Sequence, residues 1–244
     1  MEEHRAAAVQ RDLGKGSGEI TRKRASELFS EGDRKRIADA VQKAEGSTSA
    51  EIVPVVATPS GRYDRAEDLF GLVTAMALLA VGWLTCPRMH PEAGWEGGLS
   101  AGGLFPVLLT ILTGFIAGAA MASRFTGLRL LFLSSREMEE EVHRAARAAF
   151  MSSKVRRTAG GTGVHLYVSL FEHRVVVLPD DTIADRNPVD WSGPCATIVE
   201  GMKAGRPAEG LEQAILQCGE LLSVDFPRAD GDEDELSNEL VLLD

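Results

Sequence analysis

Cysteine is scarce in this chain. Of 244 residues three are cysteine, Cys86, Cys195 and Cys218, with no CxxC pair and no zinc spacing among them. That leaves no disulfide framework and no thiolate metal module; the three read as small apolar fillers, and an odd, unframed set fits a reducing compartment. Positive charge is also short, 26 Lys and Arg against 36 Asp and Glu for a net charge of −10. A nucleic-acid binder is therefore not expected, since it needs a basic patch or stripe. No Gly-x-Ser-x-Gly elbow and no obvious Cys–His pair is present. Gly160-Gly161-Thr162-Gly163 lacks the Gly-Lys-Ser/Thr ending of a phosphate loop. It also precedes a strand pattern rather than a helix, so no helix N-terminus would hold an anion, and it reads as a turn. The first 30 residues lack the apolar core of about 7–15 residues that a secretory signal carries. Membrane insertion, if it occurs, is expected to use internal segments.

Such segments are there. Between Asp68 and Arg88 run 19 uncharged residues, and between Glu96 and Arg124 run 27. A spanning helix needs about 20 mostly apolar residues. Spans are expected at 69–87 and 103–123, joined by a short loop. Arg62 and Arg65 precede the first span, Arg124, Arg129 and Arg136 follow the second, and the loop holds Arg88 against Glu92 and Glu96. Five cationic residues against one place both termini in the cytoplasm. Gly114, Gly118 and Ala122 form a small-xxx-small ridge on the second span, and Gly71 and Ala75 begin one on the first. Such ridges let helix backbones approach closely in lipid, either within the hairpin or between two copies of the chain. Neither span carries an ionisable residue, which speaks against a channel or transporter.

The flanking segments look soluble. Residues 1–25 are polar and read as a disordered arm, with Arg22-Lys23-Arg24 as a short basic run. Ser30 and Asp33 approximate a capping box, ahead of an apolar stripe of Ile37, Ala38, Val41 and Ala44, and Gly46 closes that helix. Glu51–Ala57 is a β-branched strand whose Pro54 suggests an edge position, or an N–H side turned from its neighbour. Leu128–Leu133 is expected to leave the bilayer along the interface. From Ser135 to about Lys154 a charge-dense helix carries Met138, Val142, Ala145, Ala146 and Ala149 on one side. Val164–Leu170 and Arg174–Leu178 are strands joined by Phe171-Glu172-His173 as a β-hairpin. Two helices follow, near 191–204 and 208–224, the second striped by Leu211, Ala214, Ile215, Cys218 and Leu222. Residues 226–244 include Asp-Gly-Asp-Glu-Asp-Glu and read as a solvated acidic tail. Neither soluble half can close a core alone. The expectation is one α/β domain, 26–60 plus 134–225, with the spans inserted into it.

The order and motifs of these elements resemble the TPM domain family. The resemblance rests on Ser49–Val56 as first strand, Gly161–Ser169 as a glycine-led second strand, Glu172–Leu178 as third strand and Gly205–Leu211 before the last helix. It is closest to the bacterial branch with two spans inserted in the domain, and a plant thylakoid-lumen protein shares the family. The resemblance implies an α/β/α sandwich at the bacterial inner membrane. It also implies one of two roles. Some relatives are accessory or assembly factors for membrane complexes; others are described as acid phosphatases or bind divalent metal. The family's Asp near a Gly ahead of the first helix is not recognisable here, and its acidic or glycine-rich stretch after the third strand is replaced by Leu178–Asp185.

Asp180, Asp181 and Asp185 are the leading candidate site. They follow a strand end, where α/β folds carry ligands, and several carboxylate oxygens suit Ca²⁺ or Mg²⁺. Glu51 joins them if the strands bring it to the same edge. The plain alternative is that Asp180 caps a turn and Asp185 a helix. His165 reads as a satisfied structural histidine, and His173 and His143 as surface residues. The expected function is a non-enzymatic, membrane-anchored binding, assembly or quality-control factor, with the bilayer and a membrane-protein partner or a second copy as its contacts. The alternative is a divalent-metal-dependent, phosphatase-like hydrolase.

Overall fold

The computed structural model describes residues 9–12, 23–61, 64–85, 101–125, 133–152, 162–186, 189–228 and 237–244. The loop from Arg88 to Glu96, the interfacial residues 128–132, the turn at 158–161 and the acidic run at 230–235 lie outside them, as does most of the N-terminal arm.

The fold is mixed α/β. A five-stranded sheet is built from β1 (Val9–Asp12), β2 (Glu51–Ala57), β3 (Gly163–Ser169), β4 (Arg174–Pro179) and β5 (Val241–Leu243), in the order β1-β4-β3-β2-β5. β3 and β4 are an antiparallel hairpin, β1 adds antiparallel to β4, and β2 runs parallel to both β3 and β5. The hairpin turn puts His173 at φ 57°, a left-handed conformation that histidine tolerates better than bulkier residues. The helices are α1 (Ala25–Leu28), α2 (Glu31–Glu45), α3 (Asp64–Thr85), α4 (Ala101–Arg124), α5 (Ser135–Ser152), α6 (Asp181–Arg186), α7 (Ser192–Lys203) and α8 (Pro207–Asp225).

Residues Met1–Gly61 with Met138–Asp244 make one compact unit, and Arg62–Glu137 a second. In the first unit, strand alternation sends side chains to opposite faces of the sheet. Ile52, Val56, Leu166, Val168, Val175 and Val177 meet α2, α7 and α8 on one face. Val53, Val55, Tyr167, Val176 and Leu178 meet Val142 and Ala146 of α5 on the other. A parallel step from β2 to β3 needs a crossover, and α5 supplies its last part. The α8 stripe of Leu211, Ala214, Ile215, Cys218 and Leu222 is fully buried, each large side chain contributing about 1.5–3 kcal/mol. Cys195 and Cys218 lie in this core as reduced fillers, and burial pushes the Cys218 thiol up. Gly201 and Gly210 let α7 and α8 touch backbone to backbone: a Cβ on Gly201 would meet Gly210 Cα at 2.5 Å.

Ser30 and Asp33 form the reciprocal capping box, Asp33 N–H donating to Ser30 Oγ (3.2 Å) and Ser30 N–H to Asp33 Oδ2 (3.1 Å).

Three features differ from the sequence-based expectation. First, β2 is interior rather than an edge, and of the two possibilities for Pro54 it is the N–H side turned from its neighbour that holds. Its even-numbered residues turn their N–H away from β3. There Ile52 N–H donates to the buried Glu45 carboxylate (2.9 Å), and Thr58 N–H reaches Leu243 O of β5 (2.7 Å). Pro54 falls between them, one residue short of the β5 ladder, where no donor is needed. Second, the C-terminal segment is not simply a solvated tail. β5 pairs with Val55–Ala57, and the Asp244 carboxylate accepts from the Ser26 hydroxyl (2.5 Å), Ser26 N–H (3.2 Å) and Thr58 Oγ1 (3.0 Å), bonds that hold its carboxyl below the usual range, the Ser26 hydroxyl foremost. Third, the N-terminal arm contributes β1.

In the second unit α3 and α4 pack along their small residues. A Cβ on Gly114 would meet Ala75 Cα at 2.8 Å, and one on Gly118 would meet Thr74 Cβ at 2.7 Å and Gly71 Cα at 2.9 Å. Ala75 is buried in this contact, and Ala122, one turn beyond Gly118 on the same ridge, is buried as well. Glu67–Thr85 and Leu104–Arg124, with mean hydropathies of 1.7 and 2.1, are long and apolar enough to cross a membrane.

Candidate functional site

The carboxylates proposed from sequence separate into two groups. Glu51 opens β2, its register partner Gly163 opens β3, and Asp180 follows the last residue of β4 with its N–H donating to Gly163 O (2.8 Å). Glu51 and Asp180 therefore share one end of the sheet, with β3 between them. By alternation with Val53 and Leu178 they share the α5 face, and both are buried. Asp180 also caps α6: its Oδ1 accepts from Asp181 N–H (2.8 Å), and its carbonyl from Ile183 and Ala184 N–H (3.0 Å each). Asp181 and Asp185 are exposed on α6. Calcium takes 6–8 oxygen ligands and magnesium near-ideal octahedral geometry. Among the described residues no three His, Cys, Asp or Glu side chains are grouped to hold a metal ion. Glu51 and Asp180 supply a pair of buried carboxylates rather than a full donor set, and no step is derived through a metal. Asp180 thus caps a helix rather than the turn expected of it, and Asp185 lies within α6 rather than ahead of a helix.

A different constellation gathers on the α5 face of the sheet. A cavity of about 660 Å³ opens between α5 and the strands. On the helix side Ala145, Ala148, Ala149 and Ser152 line it; at i, i+3, i+4 and i+7 they share one helix face, and their small side chains leave the space. On the sheet side the lining is Val55, His165 and Tyr167, with Val241 and Leu243 from β5 and Pro59-Ser60 after β2.

One wall is a hydrogen-bonded polar network. Ser60 Oγ lies 3.1 Å from the Tyr167 hydroxyl and donates to Ser169 Oγ (2.6 Å). Ser169 Oγ in turn donates to Glu172 Oε2, while Glu172 Oε1 accepts from Ser60 N–H (2.8 Å) and Gly61 N–H (3.2 Å). The hairpin turn after β3 is what delivers Glu172, buried, to the segment leaving β2. Burial raises the Tyr167 phenol, and the nearby Glu172 adds to the rise against the Ser60 bond. The phenol is therefore neutral at physiological pH.

His165 is the exception to this satisfaction. Its side chain is 0% exposed, and among the described residues neither ring nitrogen has a hydrogen-bond partner. It stacks on Tyr167 (centroids 6.2 Å) and meets Phe150 edge-on (6.0 Å). Desolvation lowers its pKa to about 4, so at neutral pH it is an uncharged imidazole with one donor and one acceptor. The satisfied structural histidine anticipated from sequence is thus half right: structural in placement, unsatisfied in hydrogen bonding. His173 and His143 are half-buried rather than surface residues, and desolvation lowers the His143 pKa as well.

In the sequence Glu172 stands out only as a turn residue and as the start of the third-strand motif, with no role of its own. The signal that could have found it is Ser169-Leu170-Phe171-Glu172, the Ser-x-x-Glu spacing that lets a hydroxyl and a carboxylate meet across one turn. Nothing in the sequence marked the cavity, because it depends on residues of α5 and β5, distant in the chain, lining one space over the sheet.

No family model matches the chain, and no curated protein matches it. Among solved structures it is similar to the NMR structure of the BA42 protein from the psychrophilic bacterium Bizionia argentinensis. The TM-score is 0.51 at 19% identity, over 88% of this chain and 95% of that one. At that identity the likeness is one of fold.

Proposed function

We propose that this chain is a membrane-anchored α/β domain of the TPM type. In this reading α3 and α4 cross the bacterial inner membrane, both termini are cytoplasmic, and the chain acts by binding a membrane-protein partner or a second copy of itself. The role is assembly or quality control rather than catalysis.

The observation that carries the reading is the apolar surface of the two helices. Leu84 is 80% exposed, Phe105 68% and Met76 64%, and Leu72, Leu108, Leu112 and Ile116 are each half exposed or more. Contiguous exposed apolar patches mark membrane or partner contacts, and lipid is the solvent in which such helices cost nothing to leave uncovered. Helices on both faces of the sheet are what support a sandwich of the TPM type. A divalent-metal-dependent hydrolase is the second reading, and the two buried carboxylates at one sheet end, Glu51 and Asp180, are what favour it.

In-cell cross-linking of the full chain, followed by purification in mild detergent, separates the two. A discrete membrane-protein partner or a homo-oligomer is the expected product. The bare monomer under several conditions would overturn the binding role. Divalent-metal-dependent phosphate release from p-nitrophenyl phosphate, lost in a folded Asp180→Ala/Asp181→Ala variant, would establish the hydrolase in its place.

A further inference from the structure

We infer that the cavity between α5 and the sheet is a binding site for an uncharged, largely aliphatic molecule carrying a hydroxyl group, which hydrogen-bonds to His165. Two independent observations converge on it. One is space: about 660 Å³, bounded by alanines on α5 and by Val55, Val241 and Leu243. That falls in the size range of small-molecule sites, which are mostly apolar with a few placed polar groups. The other is the unmet hydrogen-bonding capacity of His165, which lines that space wholly buried. A buried polar group without a partner costs about 1–3 kcal/mol, so a ligand group that satisfies it gains affinity there.

The chemistry of the ligand follows from the lining. No charged side chain borders the cavity among the described residues, so a carboxylate, phosphate or ammonium would be desolvated without a counter-charge. The imidazole is neutral, with one N–H to give and one lone pair to fill. A hydroxyl offers the complementary acceptor and donor in a single atom. The apolar lining suits a short alkyl or acyl chain. Such a molecule could be a free alcohol or the glycerol end of a monoacyl lipid, and the two share this chemistry.

The test uses the full chain in nanodiscs with ¹⁵N-labelled histidine, titrated with 1-hexanol, hexanoate, hexylammonium and monohexanoylglycerol. Saturable shifts of the His165 ring nitrogens with 1-hexanol, and none with the two ions, are the expected result. Stronger binding of monohexanoylglycerol would identify a lipid as the source, and its failure to bind beside 1-hexanol a free alcohol. His165→Phe should weaken 1-hexanol affinity about tenfold, the equivalent of one hydrogen bond, when binding is read by ligand-observed NMR. Ala149→Phe, which fills the cavity and keeps the histidine, should abolish the His165 shifts. Absence of saturable binding, equal binding of hexanoate, or undiminished affinity in a folded His165→Phe variant would each overturn the assignment.

Discussion

Glu172→Ala is expected to destabilise the α/β unit by about 3 kcal/mol, read as a lower urea midpoint at unchanged slope. The carboxylate is buried and holds three donors at once: the N–H groups of Ser60 and Gly61 through Oε1, and the Ser169 hydroxyl through Oε2. Removing it leaves the buried Ser169 hydroxyl and the half-buried Ser60 and Gly61 N–H groups without their acceptor, and an orphaned buried donor costs more than the net worth of the bond it loses. The loss also frees the segment that leaves β2, since Ser60 itself links to Tyr167 and Ser169. Glu172→Gln retains one carbonyl acceptor at nearly the same volume, so it should retain part of the stability. An equal loss in both variants would mean that the side chain fills space rather than anchoring the loop.

Acid should weaken the same unit through His165. Its folded-state pKa, about 4, lies below the ordinary 6.5, so the unfolded chain takes up a proton first as pH falls. Stability is therefore complete above pH 6.5 and is lost progressively down to about pH 4, by about 3 kcal/mol in all. His143 adds in the same direction, its pKa being lowered mainly by desolvation and further by Arg147 and Arg174, against the pull of Glu139. Tyr167, the group stacked on His165, does not titrate in this window. Urea midpoints of wild type and His165→Phe, followed from neutral pH to pH 4, should diverge: the variant keeps only the shallower slope left by His143. Parallel slopes would contradict a neutral buried imidazole.

The parts of this fold that could be seen in the sequence are those with strong local patterns. The β-branched runs at Glu51–Ala57, Gly163–Ser169 and Arg174–Pro179, the capping box of Ser30 and Asp33 and the stripe of α8 each fix their own element. What escaped was non-local. β5 is three residues long and sits behind an acidic run, so composition hid it. β1 was masked by the polar residues around it. Pro54 was legible as a missing N–H, pointing either to an edge or to a side turned from the neighbour; the Glu45 carboxylate that takes the Ile52 N–H and the late start of β5, which decide for the second, were not. The same limit applied to the site. Asp180, Asp181 and Asp185 lie within six residues of one another, yet only Asp180 turns inward, because α6 presents the other two to solvent. His165 became informative only once the residue was found to line a cavity while its ring nitrogens had no partner among the described residues.

The account stands or falls on α3 and α4 lying in a bilayer as an insertion within one α/β domain. Side-specific cysteine labelling of the full chain in bacterial cells tests this most directly, with Cys86 replaced by alanine; Cys195 and Cys218 are buried and unreactive. A maleimide that cannot cross the membrane should label Gly94→Cys in intact cells, and should label Ser17→Cys and Ser237→Cys only after lysis, while alkaline carbonate leaves the chain in the membrane pellet. Labelling of all three positions in intact cells, or release of the chain by carbonate, would contradict it.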